Sequence, residues 1–188
     1  MAQPAPKLLT VEEFEHLPEP PDGGKMELVD GEVIVMSPVG RKHSRIATDI
    51  GAELRAFVKE HALGEVGQEG GFRLFAGRNV LRAPDVHYLA VEQPEYGQTD
   101  VGYVVGAPAL AIEVTSPDDR DAYLSQKVTE YLEAGSRRVW VVRPNLKAVT
   151  VHYPDGTSRV FRGSETLTSE EAGFSLPGFA LALSELFG

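Results

Sequence analysis

Apolar residues Ile46, Ile50, Leu54, Phe57 and Val58 recur at intervals of three and four, which predicts a long helix over 41–62 with one face laid against a sheet. A different pattern holds at Ala109-Leu110-Ala111-Ile112-Glu113-Val114-Thr115, which is apolar almost throughout, as expected of a strand covered on both faces. Glu113 is the one charge in that run. Tyr123, Leu124, Val128, Tyr131 and Leu132 then mark a helix over 121–134, led in by Ser116-Pro117-Asp118-Asp119 and stopped by Gly135. A strand over 137–142 follows, giving a strand–helix–strand unit.

Smaller signals complete the pattern. Thr10 and Glu13 have capping-box spacing, so 11–17 reads as a short helix stopped by Pro18, Pro20 and Pro21. The segment 26–37 reads as a hairpin around Asp30-Gly31, the two-residue turn signal. Segments 65–75 and 80–91 read as a second hairpin, the return strand carrying Pro84-Asp85, and the polar stretch 92–107 as a surface loop. Strands over 148–153 and 157–162 flank Pro154-Asp155-Gly156, and a short helix lies near 183–187. The expected organisation is a mobile N-terminus over 1–8 followed by one domain over 9–188.

Composition narrows the function classes. A chain of 188 residues without cysteine has no disulfide, zinc-thiolate site, iron–sulfur cluster or cysteine nucleophile. No apolar run is long enough to span a bilayer and no secretory leader is evident, so a cytoplasmic protein with no membrane partner is expected. The net charge of −10 argues against coating nucleic acid by bulk electrostatics. It leaves room for a metal-dependent nuclease, in which bound cations reverse the local sign at a carboxylate site.

Two carboxylates stand in strands that otherwise read as buried, Asp85 and Glu113, and an ionised carboxylate without a cationic partner is too costly to bury. If their strands are neighbours, both reach one hard cation such as Mg²⁺, with the Val114 carbonyl as a further oxygen ligand. Phosphodiester chemistry also calls for a positive group near the attacking water. Thr115 stands two residues after Glu113, so the nearest candidate is Lys127, on the following helix, whose long side chain can reach back to the strand.

Pro84-Asp85 followed at a distance by Glu113-Val114-Thr115 is similar to the PD-(D/E)XK nuclease signature, with the lysine moved off the strand. More narrowly, Met26-Glu27-Leu28-Val29-Asp30-Gly31-Glu32-Val33, then Met36-Ser37-Pro38, His43 and Arg82-Ala83-Pro84-Asp85-Val86 resemble the bacterial Uma-two family of restriction-endonuclease-like proteins. So do the residues from Gly106 to Pro117, with Lys127, Tyr131 and Gly135 after them, and the resemblance covers nearly the whole chain. It implies an α/β restriction-endonuclease-like core with a central mixed sheet flanked by helices. It also implies divalent-metal-dependent hydrolysis of DNA phosphodiester bonds with Mg²⁺ or Mn²⁺, and a homodimer that cuts both strands. Asp85 and Glu113 would then hold the metal, Lys127 would be the relocated catalytic lysine, and Glu27 an additional acid.

Other readings stand beside these. Asp85 is alternatively a turn carboxylate, Glu113 the partner of a structural arginine such as Arg138, Lys127 a solvated helix lysine, and Glu27 a strand residue facing water. His43 reads as a hydrogen-bonded core histidine, Tyr123, Tyr131 and Trp140 as packing, and Arg41, Lys42 and Arg45 as a basic cluster at a helix start, with Lys42 the substitute if Lys127 is not the catalytic lysine. At the level of function, the alternatives are a nuclease fold that has lost activity and serves as a binding or scaffold protein, and a nucleotide phosphohydrolase.

Overall fold

The structure is a computed structural model describing residues 7–97, 102–116 and 121–188. Most of the expected mobile N-terminus, the lead-in Pro117-Asp118-Asp119 and part of the 92–107 loop lie outside the described residues. Helix α1 (Val11–Phe14) opens on the expected capping box, in which the Thr10 side chain accepts from the Glu13 N–H at 3.1 Å and Glu13 accepts from the Thr10 N–H at 3.0 Å. Strands β1 (Lys25–Val29) and β2 (Glu32–Met36) form the expected antiparallel hairpin. Its turn residues Asp30 and Gly31 sit at φ of 48° and 89°, the left-handed pair that a tight hairpin requires. Helix α2 (Arg41–Glu60) buries Ile46, Ile50, Leu54 and Val58, as the three-four spacing predicts.

The second hairpin is divided between two sheets. Strand β3 (Gly64–Gly67) pairs with β6 (Val86–Ala90) in one, whereas β4 (Phe72–Arg73) pairs with β5 (Leu81–Arg82) in the other. The chain therefore crosses between sheets over Ala83-Pro84-Asp85. Pro84 has no N–H to give a ladder, which makes it a natural place for a strand to break. The expected loop 92–107 also contains a strand, β7 (Val104–Val105), parallel to β4 and too short for any periodicity to announce it.

Strand β8 (Leu110–Val114), helix α3 (Asp121–Glu133) and strand β9 (Arg138–Arg143) make the strand–helix–strand unit, with β8 and β9 parallel. Strands β10 (Ala148–His152) and β11 (Ser158–Arg162) extend the sheet, and β12 (Thr166–Thr168), α4 (Ser169–Ala172), β13 (Ala180–Ala182) and α5 (Leu183–Phe187) close the chain. The described strands form a mixed six-stranded sheet in the order β11-β10-β9-β8-β6-β3, a five-stranded sheet β2-β1-β5-β4-β7 and the β12-β13 pair.

Alternation along β8 decides which side chains meet which helix. Leu110, Ile112 and Val114 pack in the cluster that contains Ile46, Ile50 and Leu54 of α2. Ala111 faces the other cluster, with Leu124, Val128 and Tyr131 of α3, and Glu113 shares its face. The result is the mixed α/β architecture of the sequence reading. Among the described residues, no helix is long and apolar enough to cross a membrane.

Candidate active site

Asp85 sits on the crossing between the two sheets and is 6% exposed. Its Oδ2 accepts from the Val114 N–H at 2.7 Å and lies 3.1 Å from His43 Nε2, while Oδ1 accepts from Lys25 Nζ at 2.9 Å. Burial would raise this carboxyl, but the His43 hydrogen bond and the Lys25 and His43 charges outweigh it and hold it well below the usual carboxylate range. Two cationic partners make it more than a turn carboxylate. For His43, burial opposes the charged ring, yet the Asp85 carboxylate prevails and raises its pKa.

Strands β6 and β8 are antiparallel neighbours with Val86 opposite Ile112, so Asp85 comes alongside Glu113 one step further on. Glu113 Oε2 accepts from Lys127 Nζ at 2.8 Å and Oε1 from the Tyr131 hydroxyl at 3.0 Å. Lys127 and Tyr131, four apart on α3, share the helix face that lies over this strand. Burial pushes the Glu113 carboxyl up against the pull of Lys127, and the Asp85 charge adds to the push. Lys127 is only 3% exposed; burial disfavours its charge, but Glu113 and Glu27 together hold its pKa well above the ordinary lysine range.

Glu27 is fully buried, which overturns the water-facing alternative. Its Oε1 lies 3.0 Å from Lys127 Nζ and accepts from the Ala83 N–H at 3.1 Å, and its Oε2 accepts from Arg82 at 2.9 Å and from the Tyr123 hydroxyl at 2.7 Å. Arg82, equally buried, also donates through Nε to Glu130 at 2.7 Å. One chain of contacts thus ties β1 and β5 of one sheet, through α3, to β8 of the other.

Several alternatives fall on this geometry. Arg138 does not pair with Glu113: its guanidinium lies over the Tyr153 ring and donates to the Glu170 carbonyl. Lys42 turns to the Pro144 carbonyl, and Arg45 to Asp49. Tyr123 and Tyr131, read from sequence as packing, bond two of the site's carboxylates. Sequence reasoning gave Arg82, Glu130 and Lys25 no role. For Arg82 a signal existed, because an arginine in the middle of an apolar strand needs a carboxylate to be buried at all; Lys25 falls just ahead of the predicted hairpin segment 26–37, where no pattern singles it out.

The site faces a cleft of about 730 Å³ whose lining includes Lys25, His43, Asp85, Glu113, Tyr123 and Lys127. Glu27 lies behind Lys127 and does not line it. Among the described residues, no group of three or more His, Cys, Asp or Glu is placed to hold a metal ion. The residues lining the cleft that carry hard oxygen donors include Asp85, Glu113 and Val114, with Glu69 as a third carboxylate on its wall. That set fits Mg²⁺ or Mn²⁺, because Mg²⁺ is commonly held by one or two carboxylates while water and substrate oxygens complete its coordination.

A solved structure described as "a putative nuclease belonging to DUF820 from Anabaena variabilis ATCC 29413" matches with a TM-score of 0.76 at 23% identity, covering 95% of this chain and 97% of that one. At that identity the likeness shows the fold. No curated protein matches the chain. The family model that matches spans residues 11–184, and on that extent the chain belongs to the Uma2 family, described as "Putative restriction endonuclease".

Proposed function

We propose that this protein is a divalent-metal-dependent endonuclease that hydrolyses DNA phosphodiester bonds in the manner of the PD-(D/E)XK class. The observation that carries the reading is the meeting of Lys127 with Glu113 at 2.8 Å, beside Asp85 in the same cleft. It supplies from a helix the cation that Thr115 does not supply from the strand. Asp85, Glu113 and the Val114 carbonyl would hold Mg²⁺ or Mn²⁺. When bound, such an ion polarises water and phosphoryl oxygen and offsets charge developing at phosphorus.

The chain's own residues supply the rest. Lys127, held between two carboxylates, donates hydrogen bonds and positive charge and orients the attacking water. Glu27 is a positioning residue, fixing the Lys127 ammonium from the side away from the cleft. Tyr131 fixes the second oxygen of Glu113, leaving that carboxylate a single orientation. A homodimer related by a two-fold axis would present two such clefts to a duplex, and sedimentation should show two copies at micromolar concentration.

The test is calorimetric titration with Mn²⁺ of the wild-type protein and of Asp85→Asn and Glu113→Gln. Saturable binding lost in both variants supports the site. No binding by the wild type contradicts it and favours a fold that binds without cutting. Turnover of free nucleotides without salt-sensitive DNA binding would favour phosphohydrolase action.

A further inference from the structure

Lys25 is the cleft-lining cation that neither the motif spacing nor the family resemblance assigns. It is the first residue of β1, and its side chain turns inward, with 21% of the side-chain surface exposed. Its ammonium is held by one Asp85 oxygen at 2.9 Å and by the Ala83 carbonyl at 2.8 Å. One carboxylate oxygen and one backbone carbonyl, both hard and both on the crossing between the sheets, form the kind of donor set that suits a hard cation. The other Asp85 oxygen is already taken by the Val114 N–H and His43. Oδ1 is therefore the Asp85 atom most open to a second cation, and Lys25 covers it.

We propose that Lys25 is the resident counter-ion of the metal position: its ammonium occupies the cation place at Asp85 Oδ1, a divalent ion must displace it to bind, and the displaced lysine is left facing the cleft where a phosphate arrives. This rests on the metal-dependent reading above. Its physical content is competition between like charges for one oxygen. An ammonium cannot share that oxygen with a divalent ion without strong repulsion, so it lowers the ion's affinity in the absence of substrate. A phosphate entering with the ion gives the freed ammonium a new anionic partner, which couples ion uptake to substrate by reciprocal linkage. Lysine suits the exchange because its charge is compact and its stem flexible.

The charges around Lys25 agree with this. Burial works against its ionisation, but Asp85, Glu113 and Glu27 outweigh both that and the repulsion of Lys127, and its pKa is raised. It is a full positive charge inside the carboxylate cluster. Lys127 is differently placed: it is clamped between two carboxylates, Glu113 and Glu27, and is almost wholly buried.

The test is Mn²⁺ binding by calorimetry without DNA, on wild type, Lys25→Met and Lys25→Arg, with the unfolding temperature in EDTA measured alongside to establish that each variant folds. The expected result is about tenfold tighter Mn²⁺ binding by Lys25→Met, wild-type-like binding by Lys25→Arg, and slower DNA cleavage by Lys25→Met in spite of its tighter ion. Binding by Lys25→Met that is equal to or weaker than wild type overturns the exchange and leaves the nuclease reading standing. Binding by neither protein overturns both, and the wild-type titration alone identifies that case. If Lys25→Met does not fold, Lys25→Gln takes its place with the same expectation.

Discussion

Lys127 Nζ lies 2.8 Å from Glu113 Oε2, although one residue belongs to the middle of α3 and the other to the buried strand β8. The same ammonium lies 3.0 Å from Glu27 on β1, so a single lysine joins a helix to both sheets. All three side chains are 7% exposed or less. In such a setting, removing one partner costs far more than the pair adds, because the charge left behind cannot reach water.

Lys127→Met is therefore expected to lose stability and activity together. Leaving Glu113 and Glu27 without their shared cation should cost about 3–5 kcal/mol in denaturant unfolding. Cleavage measured where the variant remains folded should fall by about 10²–10³, the scale for loss of a preorganised charge-stabilising donor. Wild-type turnover would remove Lys127 from the chemistry.

Arg82 separates structure from chemistry. It bonds Glu27 and Glu130 but does not line the cleft. Arg82→Met should destabilise by about 3–5 kcal/mol, whereas Arg82→Met with Glu130→Gln should lose less than the two single changes summed, because one stranded charge is gone. Strict additivity in the unfolding energies would show that the pair is not coupled.

Acid should dismantle the network in a defined window. Burial would raise the Glu27 carboxyl, but Lys127, Arg82 and Lys25 outweigh it and hold it at about 2, below its ordinary 4.5. A folded-state pKa below the unfolded one means that the group's contribution is complete above 4.5 and is lost as pH falls toward 2. Asp85, also depressed, acts in the same direction. In thermal unfolding across that range, wild type should exceed Glu27→Gln in stability at neutral pH, and the gap should close on acidification. A gap that widens as pH falls would contradict the assignment.

What the sequence disclosed followed from strong periodic signals and from the cost of burying charge. The spacing of Ile46, Ile50 and Leu54 located α2, and Asp30-Gly31 located the first hairpin within a residue. The unpaired acid in β8 pointed to Glu113, and the reach of a lysine side chain pointed to Lys127. What stayed hidden depends on pairings that no local pattern encodes. The 65–75 and 80–91 segments read as one hairpin, since nothing in their alternation says that β3–β6 and β4–β5 belong to different sheets. For Glu27 the water-facing alternative stayed open in the sequence because its cover, Arg82 and α3, arrives from distant parts of the chain. Tyr123 and Tyr131 read as packing because the ring predicts burial, while the carboxylate met by each hydroxyl is fixed only by the fold.

The central claim is that Glu113 with a divalent ion makes this cleft a nuclease, and the most direct measurement is cleavage of plasmid and single-stranded DNA with Mn²⁺, Mg²⁺ or EDTA by wild type and Glu113→Gln. The account predicts cutting by wild type with either ion, none in EDTA, and none by Glu113→Gln with the fold retained. Metal-dependent cutting that survives Glu113→Gln, or no cutting by wild type under any of these conditions, would contradict it.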